Sequence, residues 1–287
     1  MAQTRTLTRR IRSVKNAKQI TKALEVVAAS RMRRVVQLVE GSRTYGELAA
    51  SVMAKIAANP EAHNLPYFAD TTDKPTLYLV ITSDRGQAGA YNSNIFHTAA
   101  TSFREEKTRP QVIVFGRKGA RFFSHIRDID LRGAYEDIAD VPQMNVFAPA
   151  MDMIIDEMTA GQIGKVVIVY TQFISSLTQK PTALQLLPVD LTKVEAETTP
   201  NRVFEFEPDI TEVLDEGIRL YLEARLMQAK VEAAASEHAM RMVAMGNANR
   251  NASDLIDNLT LELNATRQAA ITQEIAEITG GAAAIAT

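Results

Sequence analysis

The run LTRRIRSVKNAKQITKALEVVAASRMRRVVQLVE (residues 7–40) decides the architecture. It contains neither Pro nor Gly. Apolar groups recur at Leu7, Ile11, Val14, Ile20, Leu24, Val27, Val35 and Leu38, then at Tyr45, Leu48, Val52 and Ile56. The steps are three, four or their sums, the spacing of one face of a helix. Gly41 and Gly46 are its weak points, and the pattern stops at Asn59-Pro60, where Pro removes a donor and pushes the residue before it out of the helical region. Some fifty residues at 1.5 Å rise predict a rod of about 75 Å, far longer than the helices of ordinary globular domains.

The other end of the chain repeats the pattern. No Pro occurs between Pro208 and Thr287, and apolar positions run from Ile210 through Leu214, Ile218, Tyr221, Val231, Met245 and Leu259 to Ile275. This predicts a second helix of roughly 70 residues, about 100 Å long. Neither helix can cover its own stripe, so the two are expected to pack on each other as an antiparallel coiled coil.

The charge is divided between them. Residues 1–34 hold ten bases and one acid, Glu25; the net charge of the whole chain is −2, so the remainder carries −11. From Glu205 onward fourteen acids stand against six bases. Exposed ion pairs contribute only about 0–1 kcal/mol each, so the expected role of this asymmetry is orientation and partner choice. Lys15, Lys18 and Lys22 form a basic stripe beside the seam, which suits an acidic protein neighbour or the phosphates of a nucleic acid.

Between the rods the pattern changes. TLYLVITS (76–83), QVIVFG (111–116) and KVVIVYTQF (165–173) read as buried strands, with helices expected near 90–107, 118–126 and 147–160. Strands alternating with helices predict a parallel α/β layer. TALQLLPVD (182–190) is a candidate edge strand, and residues 194–209 read as a linker. The fold class is therefore α/β: an antiparallel coiled coil of long N- and C-terminal helices around a Rossmann-like α/β domain. Residues 1–58 and 209–287 form the coiled-coil shaft, and 59–208 the α/β domain with its linker.

Little here points to chemistry. Without Cys there are no disulfides, thiolate metal sites or thiol switches. His63, His97, His125 and His238 are scattered and read as surface or structural, so no metal site and no cofactor is expected. Aromatics are 6% and Trp is absent, which is sparse for a stacking platform. SDRGQAGAYN (83–92) follows a strand and opens a helix, but matches neither the dinucleotide fingerprint nor the P-loop. It reads as a tight turn in which Gly86 and Gly89 relieve crowding and Ser83 or Asp84 bonds local amides. FGRKGARFF (115–123) is a second strand–Gly–helix junction with three bases, either a solvated helix start or an anion site. There is no charge-free apolar run of about 18 residues and no signal peptide, which makes a cytoplasmic protein the default.

Three stretches resemble one family. ITKALEVVAASRM (20–32) is similar to the N-terminal signature of the gamma subunits of F-type ATP synthases, and SDRGQAGAYN resembles their motif at the end of the first strand. SEHAMRMVAM (236–245) with LIDNLTLELNATRQAAITQEIAEITGGAAA (255–284) resembles their C-terminal signature. The resemblance implies a rotor shaft inside a ring of alpha and beta subunits, with the epsilon subunit and the membrane ring of c subunits at its foot. It implies a non-catalytic chain, peripheral to the cytoplasmic side of a bacterial plasma membrane, with the nucleotide sites on beta. It also implies subunit contacts at Lys22, Leu24, Arg31, Arg33 and Arg34 in the first signature, and at Phe204 and Glu207 in the segment facing the c ring. Arg267 and Gln268 match the pair that contacts catch loops on beta. Leu24 stands where the family often has Met, and Gln87-Ala88 where it often has Leu-Cys. The small, uncharged end ITGGAAAIAT suits a smooth sleeve. A nucleic-acid-binding coiled-coil protein with an α/β head, or a nucleotide-binding enzyme, are the alternative classes.

Overall fold

The computed structural model describes residues 2–57, 66–68, 73–189 and 210–285. The elements in chain order are α1 (Ala2–Ala57), β1 (Thr76–Ile81), α2 (Tyr91–Arg104), β2 (Gln111–Phe115), α3 (Arg117–Phe123), β3 (Asp130–Tyr135), α4 (Ala148–Thr159), β4 (Lys165–Phe173), β5 (Gln179–Leu187) and α5 (Ile210–Ile285). They fall into two compact units, one of residues 1–28 and 242–287, the other of residues 29–241.

In the first unit α1 and α5 run antiparallel. Leu7 and Ile11 close on Leu259, flanked by Val14, Ile256 and Leu263, and further along Asn249 Nδ2 donates to the Lys18 carbonyl at 3.0 Å. Buried or half-buried positions of α1 recur at Leu7, Ile11, Val14, Lys18, Thr21, Glu25 and Ala28. Those of α5 recur at Met245, Asn249, Ala252, Ile256, Leu259, Leu263, Thr266 and Ala270. Both series alternate steps of four and three, the seven-residue period of a coiled-coil seam. Beyond Ala270, residues 271–279 are exposed all round.

In the larger unit the same period continues on α1 at Met32, Val35, Val39, Ser42, Gly46, Ala49, Met53 and Ile56. Val35 and Val39 meet Val231, Ala234, Ala235 and Ala239 of α5. The sheet order is β3-β2-β1-β4-β5, with β5 antiparallel to β4 and the other pairs parallel. One face (Tyr78, Val80, Val112, Val114, Val167, Val169) packs on α2 and α3. The other (Leu77, Leu79, Ile81, Ile113, Phe115, Ile168) packs on α4, on the end of α1 and on α5 from Leu214 to Ala233. Here α5 lies between α1 and the sheet and is buried nearly all round.

The α/β sheet and the antiparallel end helices agree with the expected fold class, and the expected helices and strands lie within a few residues of the observed ones. Two details differ. Strand β3 carried no sequence signal, because DLRGAY is a half-exposed edge strand with a Gly in it. Six apolar positions assigned to the seam of α1 (Ile20, Val27, Leu38, Tyr45, Leu48, Val52) face outward and are 41–62% exposed. The seven-residue period prefers Ala28, Val39, Gly46 and Met53 instead. Met53→Ala should destabilise the chain by about 2–5 kcal/mol through lost burial and a residual cavity, measured by denaturant unfolding; an equal loss in Leu48→Ala would contradict the register.

Burial raises the phenols of Tyr67 and Tyr170 to about 12 and also raises those of Tyr78 and Tyr91 well above the ordinary tyrosine value. These groups fold best neutral, so their contribution is complete below the ordinary tyrosine value of 10 and is lost as pH rises through about 12. Alkaline titration followed by circular dichroism should therefore show cooperative unfolding in that window, with Tyr67→Phe and Tyr170→Phe moving it to higher pH.

Candidate functional site

The loop after β1 is built by side chains filling backbone groups. Ser83 Oγ donates to the Arg85 carbonyl at 2.7 Å, and Asn92 Nδ2 donates to Ser83 Oγ at 2.8 Å. Asp84 reaches beyond its own turn: its Oδ1 accepts the amides of Arg117 at 2.9 Å and of Asp137 at 3.1 Å. The left-handed positions are Gln87 and Gly89, with φ of 64° and 59°; Gly86 is not among them.

At the start of α3 the free amides are already occupied. Arg117 N–H donates to Asp84, Lys118 N–H to the Ser83 carbonyl, and Gly119 N–H to Thr82 Oγ1. The Arg117 side chain pairs with Glu136 and Asp137. This junction is a joint between strand ends. Gly116 has φ of 121°, and a Cβ there would lie 2.3 Å from the Thr82 carbonyl oxygen. Gly116→Ala should cost roughly 2–4 kcal/mol, read by thermal unfolding; a shift within error would show that the loop relaxes freely.

The end of β4 is held by both long helices. Glu232 of α5, fully buried, accepts the Phe173 amide at 3.1 Å, Arg43 Nε at 2.9 Å and Gln228 Nε2 at 3.1 Å. Arg43 of α1 also donates Nη2 to the Phe173 carbonyl. The Glu232 hydrogen bond is the main cause that raises the Arg43 guanidinium above its ordinary value. From sequence, Glu232 counts only as one of the fourteen acids from Glu205 onward. The available signal was a carboxylate inside the alanine-rich run KVEAAAS. Arg43→Met leaves this buried carboxylate without its cation and should cost about 2–3 kcal/mol, measured by urea unfolding; no loss would mean that the amide and Gln228 suffice.

A polar cluster lies beside the carboxyl ends of β1 and β3. His238, 3% exposed, places Nε2 at 2.9 Å from Asp140 Oδ2, and Arg241 Nη1 lies 3.2 Å from its Nδ1. The network suits the tautomer that donates from Nε2 and accepts at Nδ1. Arg241 also donates to Glu237 at 2.5 Å and to the Gly86 carbonyl. The His238 hydrogen bond, helped by Lys230 and Arg31, holds the Asp140 carboxyl below its usual range. Among the described residues no group of three potential ligands is placed to hold a metal ion.

The contact residues expected from sequence do not form one patch. Lys22 is exposed and pairs with Glu25 of its own helix at 3.2 Å. Leu24 is half-buried, and Arg31, Arg33 and Arg34 are exposed. Arg31 and Arg34 are brought together on the wall of a cavity near the polar cluster. Arg267 and Gln268 are exposed beside the seam residue Thr266; no hydrogen bond or ion pair engages the Arg267 side chain among the described residues. They lie 18 residues past Asn249, which faces Lys18, or about 27 Å along the helix. Phe204 and Glu207 lie outside the described residues. The expected ionic lacing between the long helices reduces, among the described residues, to Arg43–Glu232.

A mixed α/β sheet carried on two long antiparallel terminal helices is the fold of rotary central stalks. The chain is similar to the central stalk of the Tetrahymena thermophila mitochondrial ATP synthase, with TM-score 0.64, 25% identity and coverage of 80% of this chain and 99% of that one. The rotor of the Euglena gracilis mitochondrial ATP synthase has the same fold, with TM-score 0.65, 18% identity and coverage of 94% and 99%. A family model described as ATP synthase matches residues 3–285. The ATP synthase gamma chain of Desulforamulus reducens is 38% identical over 285 residues, covering 99% of this chain and all of that protein. That of Legionella pneumophila is 36% identical over 289 residues with the same coverage. The chain belongs to the ATP synthase gamma-chain family, whose place is the rotor of the synthase, where rotation is coupled to ATP synthesis. Among the described residues no helix is long and apolar enough to cross a membrane.

Proposed function

We propose that this chain is the non-catalytic central rotor of a proton-driven F-type ATP synthase, carrying rotation from a membrane ring of c subunits to nucleotide sites on surrounding beta subunits. The observation that carries this reading is the surplus of apolar side chains on helices whose seam is already filled. In the first unit Ile20, Val26, Val27, Leu261, Ile271, Ile275 and Ile278 are 46–71% exposed. In the larger unit Leu38, Tyr45, Leu48 and Val52 are 41–62% exposed. Apolar side chains exposed in such number on helices whose seam is already filled suit a partner, and a ring of alpha and beta subunits is the partner that the family implies.

Residues 1–58 and 209–287 act as the shaft, and 59–208, with the epsilon subunit and the c ring, as the foot. The chain is peripheral to the membrane, on its cytoplasmic side. Rotation requires contacts that break and reform, and Lys22, Leu24, Arg31, Arg33, Arg34, Arg267 and Gln268 serve this on the shaft, as Phe204 and Glu207 do at the foot. Two features support Arg267: it is exposed, and the positions three and four residues away (Leu263, Asn264, Ala270, Ile271) carry no acid that could pair with it. A hydrogen bond from its guanidinium to a carboxylate contributes roughly 1.5–3 kcal/mol, enough to bias one catalytic site without locking the rotor.

Adding the chain to alpha–beta complexes should raise their ATPase activity several-fold, while the chain alone hydrolyses no ATP; hydrolysis by the chain alone would overturn the reading. In the assembled complex Arg267→Leu should lower turnover with assembly and folding intact, and unchanged rates would remove it from the contacts. Glu207→Lys should weaken proton-driven synthesis and spare soluble ATPase activity.

A further inference from the structure

The cavity beside the polar cluster has a volume of about 510 Å³, the size range of small-molecule sites. Its walls come from the segments that follow β1 (Asp84, Arg85) and β3 (Asp137 to Val141), from α1 (Arg31, Arg34, Val35) and from α5 (Lys230, Glu237, His238, Arg241). The cavity lies at the carboxyl ends of β1 and β3, in the parallel part of the sheet. The carboxyl edge of the strands is where open α/β sheets hold ligands.

The charges on these walls are unequally engaged. Each of the four acids has a partner: Asp84 the Arg117 and Asp137 amides, Asp137 the Arg117 guanidinium, Asp140 His238, and Glu237 Arg241. Of the five basic side chains only Arg241 makes hydrogen bonds or an ion pair among the described residues, to Glu237, His238 and the Gly86 carbonyl, while Lys230 and Arg31 act on Asp140 through space alone. Arg31, Arg34, Arg85 and Lys230 have no hydrogen bond or ion pair among the described residues. Lys230 is the decisive one. It is 7% exposed, its ammonium is not among the buried unpartnered polar atoms and so keeps an opening to solvent, and among the described residues no carboxylate lies within 4.0 Å of it. An ammonium at the end of a largely buried side chain is favoured by an anion that meets it there.

We infer that this cavity is a binding site for a small polyanion of phosphate chemistry, of the size of a diphosphate, with Lys230 as its inner anchor and Arg31, Arg34 and Arg85 closing on the outer oxygens. Guanidinium forks and an ammonium are the donors that phosphate oxygens take. No Phe, Tyr or Trp ring lines the cavity, and the His238 ring is held between Asp140 and Arg241, so the anionic group is read and a base is not stacked. The loop 83–92, read from sequence as a turn, contributes here through Asp84 and Arg85. The site borders the seam at Val35 and shares Arg31 and Arg34 with the shaft contacts proposed above, but it does not involve Arg267.

The test is calorimetric titration of the full-length chain with pyrophosphate at about 50 mM salt, where screening is modest, with ADP and an oligoglutamate peptide as further arms. Pyrophosphate should bind in a one-to-one ratio. Lys230→Met should weaken it by about tenfold or more and Arg34→Gln by about threefold or more, while Lys165→Gln, at the amino end of β4, leaves it unchanged. Arg34 is exposed, so that variant keeps the test valid if Lys230→Met misfolds, as circular dichroism would reveal. ADP binding more tightly than pyrophosphate assigns the site to nucleotides, and equal binding assigns it to inorganic phosphates. No saturable binding of pyrophosphate, equal weakening in all three variants, or binding of the peptide alone would overturn the inference; the last would make the cavity a seat for an acidic protein segment.

Discussion

A helix of 56 residues with a seven-residue apolar repeat cannot be covered by a small core, and a partner helix of similar length is the cheapest solution. The rest of the structure follows from that constraint. The seam of α1 is satisfied by α5 in both units: Leu7 and Ile11 against Leu259 in one, Val35 and Val39 against Val231 and Ala235 in the other. The partners are small where the helices lie beside the sheet, because α5 must there present one face to α1 and another to the strands. Alanine at 233–235 allows that double contact.

The sheet is tied to this pair at a buried charge. Glu232 takes three donors, one from the backbone of β4 and one from α1, so the orientation of the Phe173 peptide depends on both helices at once. Apolar packing alone tolerates sliding by a residue; a carboxylate in a dry site does not, since every unmet lone pair is penalised. In a chain that transmits rotation, such a register lock lets load on the helices reach the domain without slip.

The outer surface is arranged differently. Among the described residues, no base within residues 1–34 forms an ion pair with α5. Arg31 and Arg34 turn toward the ends of β1 and β3, and Lys22 stays in solvent with Glu25. Apolar groups such as Leu48 and Ile275 also point outward. A surface of exposed apolar and basic groups on a pair already satisfied internally fits a partner that encloses the chain and is bound through many weak contacts.

Much of this was legible in the sequence, and the boundary has physical causes. Two Pro-free runs with helical spacing determine the long helices, three apolar runs ending in turn residues determine the central strands, and long end motifs carry the family. All are local or additive signals. Which face of α1 is inward was not legible: three-to-four spacing admits Ile20, Val27 and Leu48 as readily as Ala28, Gly46 and Met53, and only the partner helix selects between them. The edge strand β3 was hidden because its half-exposed, Gly-containing segment has no pattern of its own. The pairing of Glu232 with Arg43, of His238 with Asp140, and the seclusion of Lys230 join residues that the chain keeps 98 or more positions apart or leaves without any local mark. Such groups acquire their meaning from neighbours, and neighbours at that distance are set by tertiary packing alone.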